Sequence, residues 1–269
     1  MGGKINLIFD SHAHYDSDAF DEDREILLKR LHNVDGVCAI VNPAESLESS
    51  RRCIALAEQY DFVYAAVGVH PCCAETWQES DAEQYRDMLK HPKTVAVGEI
   101  GLDYYHSVEF KTEQHEAFRA MLELARDERK PVIIHDREAH GDMYKILREY
   151  KPNGVMHCFS GSVELAREAL SYGLYIGLGG AVTFKNAVSP VEVAKYVPLD
   201  RLVLETDAPY MTPMPCRPKK GRPRCDSSMI RATAEKIAEV RGMDVEELLH
   251  ATAENAARLY NLSENISVR

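Results

Sequence analysis

The chain has no apolar run long enough to cross a bilayer, and its start, "MGGKINLIFD", lacks the long apolar core of a secretory leader. Asn6 stands where N-myristoylation after Met1-Gly2 wants Ser or Thr. These absences predict a cytoplasmic protein. No C-x-x-C pair occurs among the seven cysteines (Cys38, Cys53, Cys72, Cys73, Cys158, Cys216 and Cys225), which argues against a structural zinc ribbon. Their odd number, with no export signal, argues against a disulfide framework, so most are expected to be buried thiols. Positive charge is not in surplus either. The formal net charge of −11 argues against a general nucleic-acid coat protein. It leaves room for an enzyme on nucleic acid, because a local basic patch and bound cations can set the field at one site. Internal repeats, low-complexity tracts and linkers are missing too. With 269 residues, 45% apolar and 28% charged, the chain reads as one ordinary globular domain over 1–269.

What the chain does have is a rhythm. Short apolar runs lie at 5–9, 37–41, 63–67, 94–97, 132–134, 154–156, 174–177 and 202–204. Several are rich in Val and Ile and read as strands buried on both faces, as parallel strands are. Between them, apolar residues recur at three- and four-residue spacing, most clearly in "EILLKRL" (25–31), "SRRCIALAEQY" (50–60), "EAFRAMLELARDE" (116–128) and "VELAREALSYG" (163–173). Ser46 and Thr112 read as N-caps and Gly173 as a helix stop. Eight strand-then-helix units predict an α/β fold, a (β/α)8 TIM barrel, with an extra C-terminal helix at about 245–260. A doubly wound open sheet competes, but no G-x-G-x-x-G opens a first βα turn.

In such a barrel function sits at the C-terminal ends of the strands. The polar residues that follow the apolar runs are His12 and His14 ("FDSHAHYD"), His70 ("AVGVHP"), Glu99 ("AVGEIGLDYY"), His135 ("PVIIHDR"), His157 ("GVMHCFSG") and Asp207 ("LVLETDAPY"). In an extended segment, residues i and i+2 share a face, so His12 and His14 project together. Each residue alone reads as an ordinary polar group. One such residue at strand end after strand end reads as a metal site. Four histidines and two carboxylates can hold two divalent ions roughly 3.5–4 Å apart, with an anion bridging them. Glu99, near the middle of the ring, is the natural bridge. The expected split is His12, His14, Glu99 and Asp207 on one ion, and Glu99, His135 and His157 on the other. Mixed nitrogen and oxygen ligands admit zinc, manganese or iron, with magnesium less at home among imidazoles.

The motifs "DSHAHYD", "VGVHP", "GEIGLDYY", "VIIHDR", "HCFSG" and "ETDAPY", in this order, resemble the TatD family of metal-dependent deoxyribonucleases, amidohydrolase-like (β/α)8 barrels. The resemblance runs from Phe9 to about Tyr260 and takes in "TFKNA" and "TAENAARLY". It implies a divalent-metal phosphodiesterase, a Mg-dependent 3′→5′ exonuclease on single-stranded DNA; set beside the four imidazoles, this leaves the two expected divalent ions as Mg, Mn or Zn. It also implies a link to DNA repair, and the same six ligands: His12, His14, Glu99, His135, His157 and Asp207. A related branch removes D-amino acids from tRNA. The chain departs from the family in two places. Cys72 and Cys73 follow His70-Pro71 where a His or another polar residue is common. The stretch 211–228, "MTPMPCRPKKGRPRCDSS", has no Asn-x-Pro.

The expected chemistry is attack of an activated water on a phosphodiester, with Asp207 as ligand and general base and His70 as donor to the phosphate or leaving oxygen. Arg137, two residues after His135, is a candidate phosphate clamp. Ser160, with Gly161, offers an anion site near a helix start, and Lys185 a further cation. The segment 217–224 holds five cations in eight residues and reads equally as a nucleic-acid contact or a solvated loop. Tyr104, Tyr105 and Phe159 are candidates to stack on bases. Three rivals stand beside this reading: a small-molecule amidohydrolase, a D-aminoacyl-tRNA deacylase and a non-catalytic binding protein.

Overall fold

A computed structural model of the chain describes residues 7–221 and 223–262. Eight parallel strands lie in the order β1-β2-β3-β4-β5-β6-β7-β8. They are β1 (Ile8–Asp10), β2 (Val37–Pro43), β3 (Val63–Val67), β4 (Thr94–Asp103), β5 (Val132–Arg137), β6 (Gly154–Met156), β7 (Tyr175–Leu178) and β8 (Leu202–Leu204). The predicted strand at 5–9 begins partly outside the described residues. The helices between and after the strands are α1 (Arg24–Asn33), α2 (Leu47–Gln59), α3 (Ala82–Leu89), α4 (Lys111–Asp127), α5 (His140–Tyr150), α6 (Val163–Ser171), α7 (Ser189–Tyr196), α8 (Ile230–Arg241) and α9 (Val245–Leu259). This is the predicted (β/α)8 barrel with its extra C-terminal helix. No helix among the described residues is long and apolar enough to cross a membrane.

The seam between β8 and β1 is closed just beyond both strands. Ser11 donates its N–H (3.1 Å) and its hydroxyl (3.0 Å) to the Leu204 carbonyl. The Asp207 N–H then reaches the His12 carbonyl (2.9 Å), and the His14 N–H reaches that of Ala208 (2.7 Å). Asp10, fully buried, ties the same seam from behind. It accepts from the Thr206 N–H (3.0 Å), the Thr206 hydroxyl (2.6 Å) and the Ser227 hydroxyl (2.7 Å).

Alternation along the strands makes two apolar clusters. Ile40, Val63, Val67, Ile134 and Leu204 pack with helix residues such as Leu28, Leu56, Phe118 and Leu147. Residues of the other parity, Phe9, Val41, Tyr64, Ile133, Val155, Tyr175 and Val203, form a second cluster with Ala253, Ala256 and Leu259 of α9. That explains the extra helix: its small residues cover apolar side chains that the eight-helix ring does not reach.

Three local readings need correction. Hydrophobicity ended β4 at 97 and β5 at 134, yet both continue through polar residues, pairing Gly101 with His135 and Asp103 with Arg137. Thr112 lies in the first turn of α4, and Phe110 takes the cap position without a side-chain bond. Among the cysteines, all free, only Cys53 and Cys225 are buried, and Cys72 is exposed. Ser46 caps α2 with a capping box, as its sequence suggests, and Gly173 follows α6 with φ +90.

Candidate metal centre

The H-x-H pair owes its direction to the seam. Ala13 is fully buried and bridges to Ala208, so its two neighbours turn the other way, into the mouth of the barrel. Asp207 arrives beside them with φ +57, its N–H held by His12. Glu99, from the middle of β4, stands between two groups of imidazoles. Its Oε2 lies 3.2 Å from His12 Nε2 and 3.7 Å from His14 Nε2. Its Oε1 lies 2.7 Å from His135 Nδ1, 2.9 Å from His157 Nε2 and 3.6 Å from His70 Nε2. Asp207 Oδ1 lies 3.6 Å from His12 Nε2 and 3.4 Å from His14 Nε2. The six sequence-predicted residues thus converge on the mouth of the barrel, with imidazoles against each of the two Glu99 oxygens.

The donor set suits a divalent ion. His12 Nε2 and His14 Nε2 face each other at 3.0 Å in a buried site, together with a carboxylate oxygen. Buried, converging imidazole nitrogens and carboxylate oxygens are what a borderline cation such as zinc or manganese binds. Burial by itself would raise the carboxyl pKa values of Glu99 and Asp207, but the surrounding histidines outweigh it and hold both below the usual range. Burial likewise pulls His14 down, but Asp207 and Glu99 carry it up to about 9.

His70 differs from the other histidines. Its Nδ1 accepts the Cys72 N–H at 3.1 Å, so the ring proton sits on Nε2 and points toward Glu99. Burial, with neighbouring imidazoles, pushes its pKa down to about 3. His70 is therefore a neutral N–H donor at pH 7.

Two carboxylates escaped the sequence reading. Asp103 Oδ2 lies 3.1 Å from His135 Nε2, behind the face that meets Glu99. The signal was present: Asp103 is four residues after Glu99 on an extended strand, hence on the same face. Glu205 accepts the Cys158 N–H and sits with Oε1 3.6 Å from His157 Nδ1. Its Oε2, His12 Nδ1 and His157 Nδ1 are buried, with no hydrogen-bond partner among the described residues. Carboxylates behind ligating imidazoles fix their tautomer and orientation.

The centre opens into a cavity of ≈ 630 Å³ lined by His14, His70, Arg137, Asp207 and Tyr210 among others. Arg137 projects there with its guanidinium 4.9 Å above the Tyr105 ring. Ser160 and Lys185 are exposed and do not line this cavity. Phe159 is buried in the core, and the Tyr104 hydroxyl is taken by His115 (2.8 Å) and Asp142 (2.9 Å). Tyr105 and Tyr210 are the exposed aromatics at the mouth. Two of the five cations in 217–224 are engaged internally. Arg217 covers Phe184 (4.7 Å), and Arg224 grips Asp23 with two nitrogens (2.8 and 2.6 Å). Arg222 lies outside the described residues.

The family described as TatD related DNase matches residues 9–261. The chain belongs to the TatD family. It is a metal-dependent hydrolase. It is 41% identical over 260 residues to the metal-dependent hydrolase YabD of Bacillus subtilis, covering 96% of this chain and 100% of that protein. It is 34% identical to the 3′-5′ ssDNA/RNA exonuclease TatD of Musicola paradisiaca, covering 96% of this chain and 99% of that one. Among solved structures, the TatD homologue YjjV of Escherichia coli superimposes with a TM-score of 0.88 at 34% identity, over 96% of this chain and 99% of that one.

Proposed function

We propose that this TatD-family protein is a phosphodiesterase dependent on two divalent ions that removes nucleotides from the 3′ end of single-stranded DNA. The observation that carries the reading is the divided carboxylate of Glu99, with His12 and His14 at one oxygen and His135 and His157 at the other. Such a carboxylate suits a bridge between two cations. The nucleic-acid substrate and the direction of digestion are carried over from relatives named as 3′-5′ ssDNA/RNA exonucleases.

His12, His14, Glu99 and Asp207 would hold one ion, and Glu99, His135 and His157 the other. When bound, such ions polarise a phosphoryl oxygen and make an adjacent water more acidic. The residues do the rest. Asp207, held below its usual pKa and lining the cavity, accepts the proton of the attacking water. His70 offers its neutral Nε2–H to the phosphate or the leaving oxygen. Arg137, fixed over Tyr105, presents a fork to the next phosphate. Four imidazoles favour manganese or zinc over magnesium.

The test is a time course with chelator-stripped protein, Mg²⁺, Mn²⁺ or Zn²⁺ added back, and 5′-labelled single-stranded DNA. A metal-dependent ladder shortening from the 3′ end is expected, and Asp207→Asn should abolish it while keeping the fold. Intact DNA under every metal would overturn the nuclease reading and direct attention to an ester or amide substrate.

A further inference from the structure

Outside the ring of six, a second cluster of metal-ligating side chains lines the same cavity. The Cys72 thiol, the Asp103 carboxylate and the His106 imidazole each offer a ligand atom, and these lie within 4.8 Å of one another. We propose that Cys72, Asp103 and His106 form a separate cation site at the cavity wall, built for a soft divalent ion of the zinc class.

The site has one rigid member and two adjustable ones. Asp103 is 1% exposed, and its Oδ1 is fixed by the N–H groups of Tyr105 (2.9 Å) and His106 (2.7 Å). That leaves Oδ2 facing His106 Nδ1 at 2.9 Å. Cys72 and His106 are exposed and can rotate, so ligand atoms already within 4.8 Å of one another can close on ligand bonds of roughly 2.0–2.3 Å. On binding, the ion takes the place of the proton between His106 Nδ1 and Asp103 Oδ2. The imidazole moves that proton to Nε2, and the thiol gives up its own to solvent. A mixed sulfur, nitrogen and oxygen set selects zinc, cobalt or copper over magnesium. Three protein ligands leave a fourth position open toward the cavity, for water or a phosphate oxygen.

This site differs chemically from the main centre. None of the six residues of the ring offers sulfur, so a thiolate bond that is lost with the Cys72 thiol reports on the second site. Asp103 also links the two, because the same Oδ2 meets His135 Nε2 at 3.1 Å. The inference does not depend on what the enzyme cleaves.

The experiment loads the chelator-stripped full chain with Co²⁺ under reducing conditions. It follows the near-ultraviolet thiolate-to-cobalt charge-transfer band and counts the metal bound. Wild type should show the band. Cys72→Ser should lose it and bind one Co²⁺ fewer per chain, with unchanged far-ultraviolet circular dichroism. Cys73→Ser should keep it, and His106→Ala should need at least tenfold more Co²⁺ to develop it. No band in wild type at saturating Co²⁺, a band that survives Cys72→Ser, or equal loss in Cys73→Ser would each overturn the proposal.

Discussion

Glu205 gives the sharpest test of how the centre is held. Its Oε1 accepts the Cys158 N–H, and its carboxylate lies against the Nδ1 side of His157. The nearby Oε2 has no partner among the described residues, and the same is true of His12 Nδ1 and His157 Nδ1. For His157 to give its Nε2 lone pair to a cation, its proton must sit on Nδ1, where a carboxylate or a trapped water can accept it. Glu205→Gln nearly conserves volume and can keep an oxygen at the Oε1 position, which faces both the Cys158 N–H and His157 Nδ1. What it removes is the negative charge that holds the His157 proton on Nδ1 and raises the basicity of Nε2. Loss of such an outer carboxylate weakens metal affinity roughly 10- to 100-fold, or about 1.4–2.7 kcal/mol. Competition with a chromophoric chelator measures it directly, and the metal-free variant should still unfold cooperatively. Metal affinity within a factor of two of wild type would refute the assignment of Glu205 as the group that orients His157.

His70→Ala should lower kcat by roughly 10²-fold, as loss of one aimed donor does. In wild type the His70 ring should not titrate by NMR between pH 5 and 9, because its pKa is lowered to about 3; a midpoint near 6.5 would refute this. The sign for stability follows: the folded state binds fewer protons than the unfolded between pH 3 and 6.5, so stability falls as pH drops through 6.5. His70→Gln should soften that acid loss in urea titrations. Arg137→Ala should raise KM on DNA and reduce the slope of log KM against log salt by about one; an unchanged slope would remove Arg137 from the phosphate path. Gly101→Ala should cost more than about 1 kcal/mol in urea unfolding, because φ is +148 and a Cβ would overlap the His135 carbonyl oxygen. Wild-type stability would show that the β4–β5 contact yields.

The ring was legible because parallel strands buried on both faces read as apolar runs, and polar residues soon after each run fall at the functional rim. His12, His14, His135, His157 and Asp207 are all of this kind. Glu99 was legible for the same reason, but the strand it sits on was cut short, because pairing with β5 carries β4 on past its first polar residue. Asp103 and Glu205 carried a signal within their own strands, one four residues after Glu99 and the other directly after the β8 run, but the imidazole each one meets comes from another strand, and no spacing within one strand encodes that meeting. The stretch 217–224 shows the converse limit. Its charge was plain in the sequence, yet Arg224 is bound to Asp23, from the first loop of the barrel.

The seam gives the centre a place in time as well as in space. His12 and His14 follow the first of the eight barrel strands to be made, and Asp207 follows the last of the eight. A chain with only seven strands made would hold five of the six ligands and could not complete the first half-site. The residues that aim the ligands, Ser11 on Leu204 and Asp207 on His12, also shut the ring. A cation gripped by His12, His14 and Asp207, as proposed, would therefore act as a clasp on the final closure and would stabilise the finished barrel in proportion to the logarithm of free metal. Withdrawing the metal should loosen first the join between the two ends of the sheet.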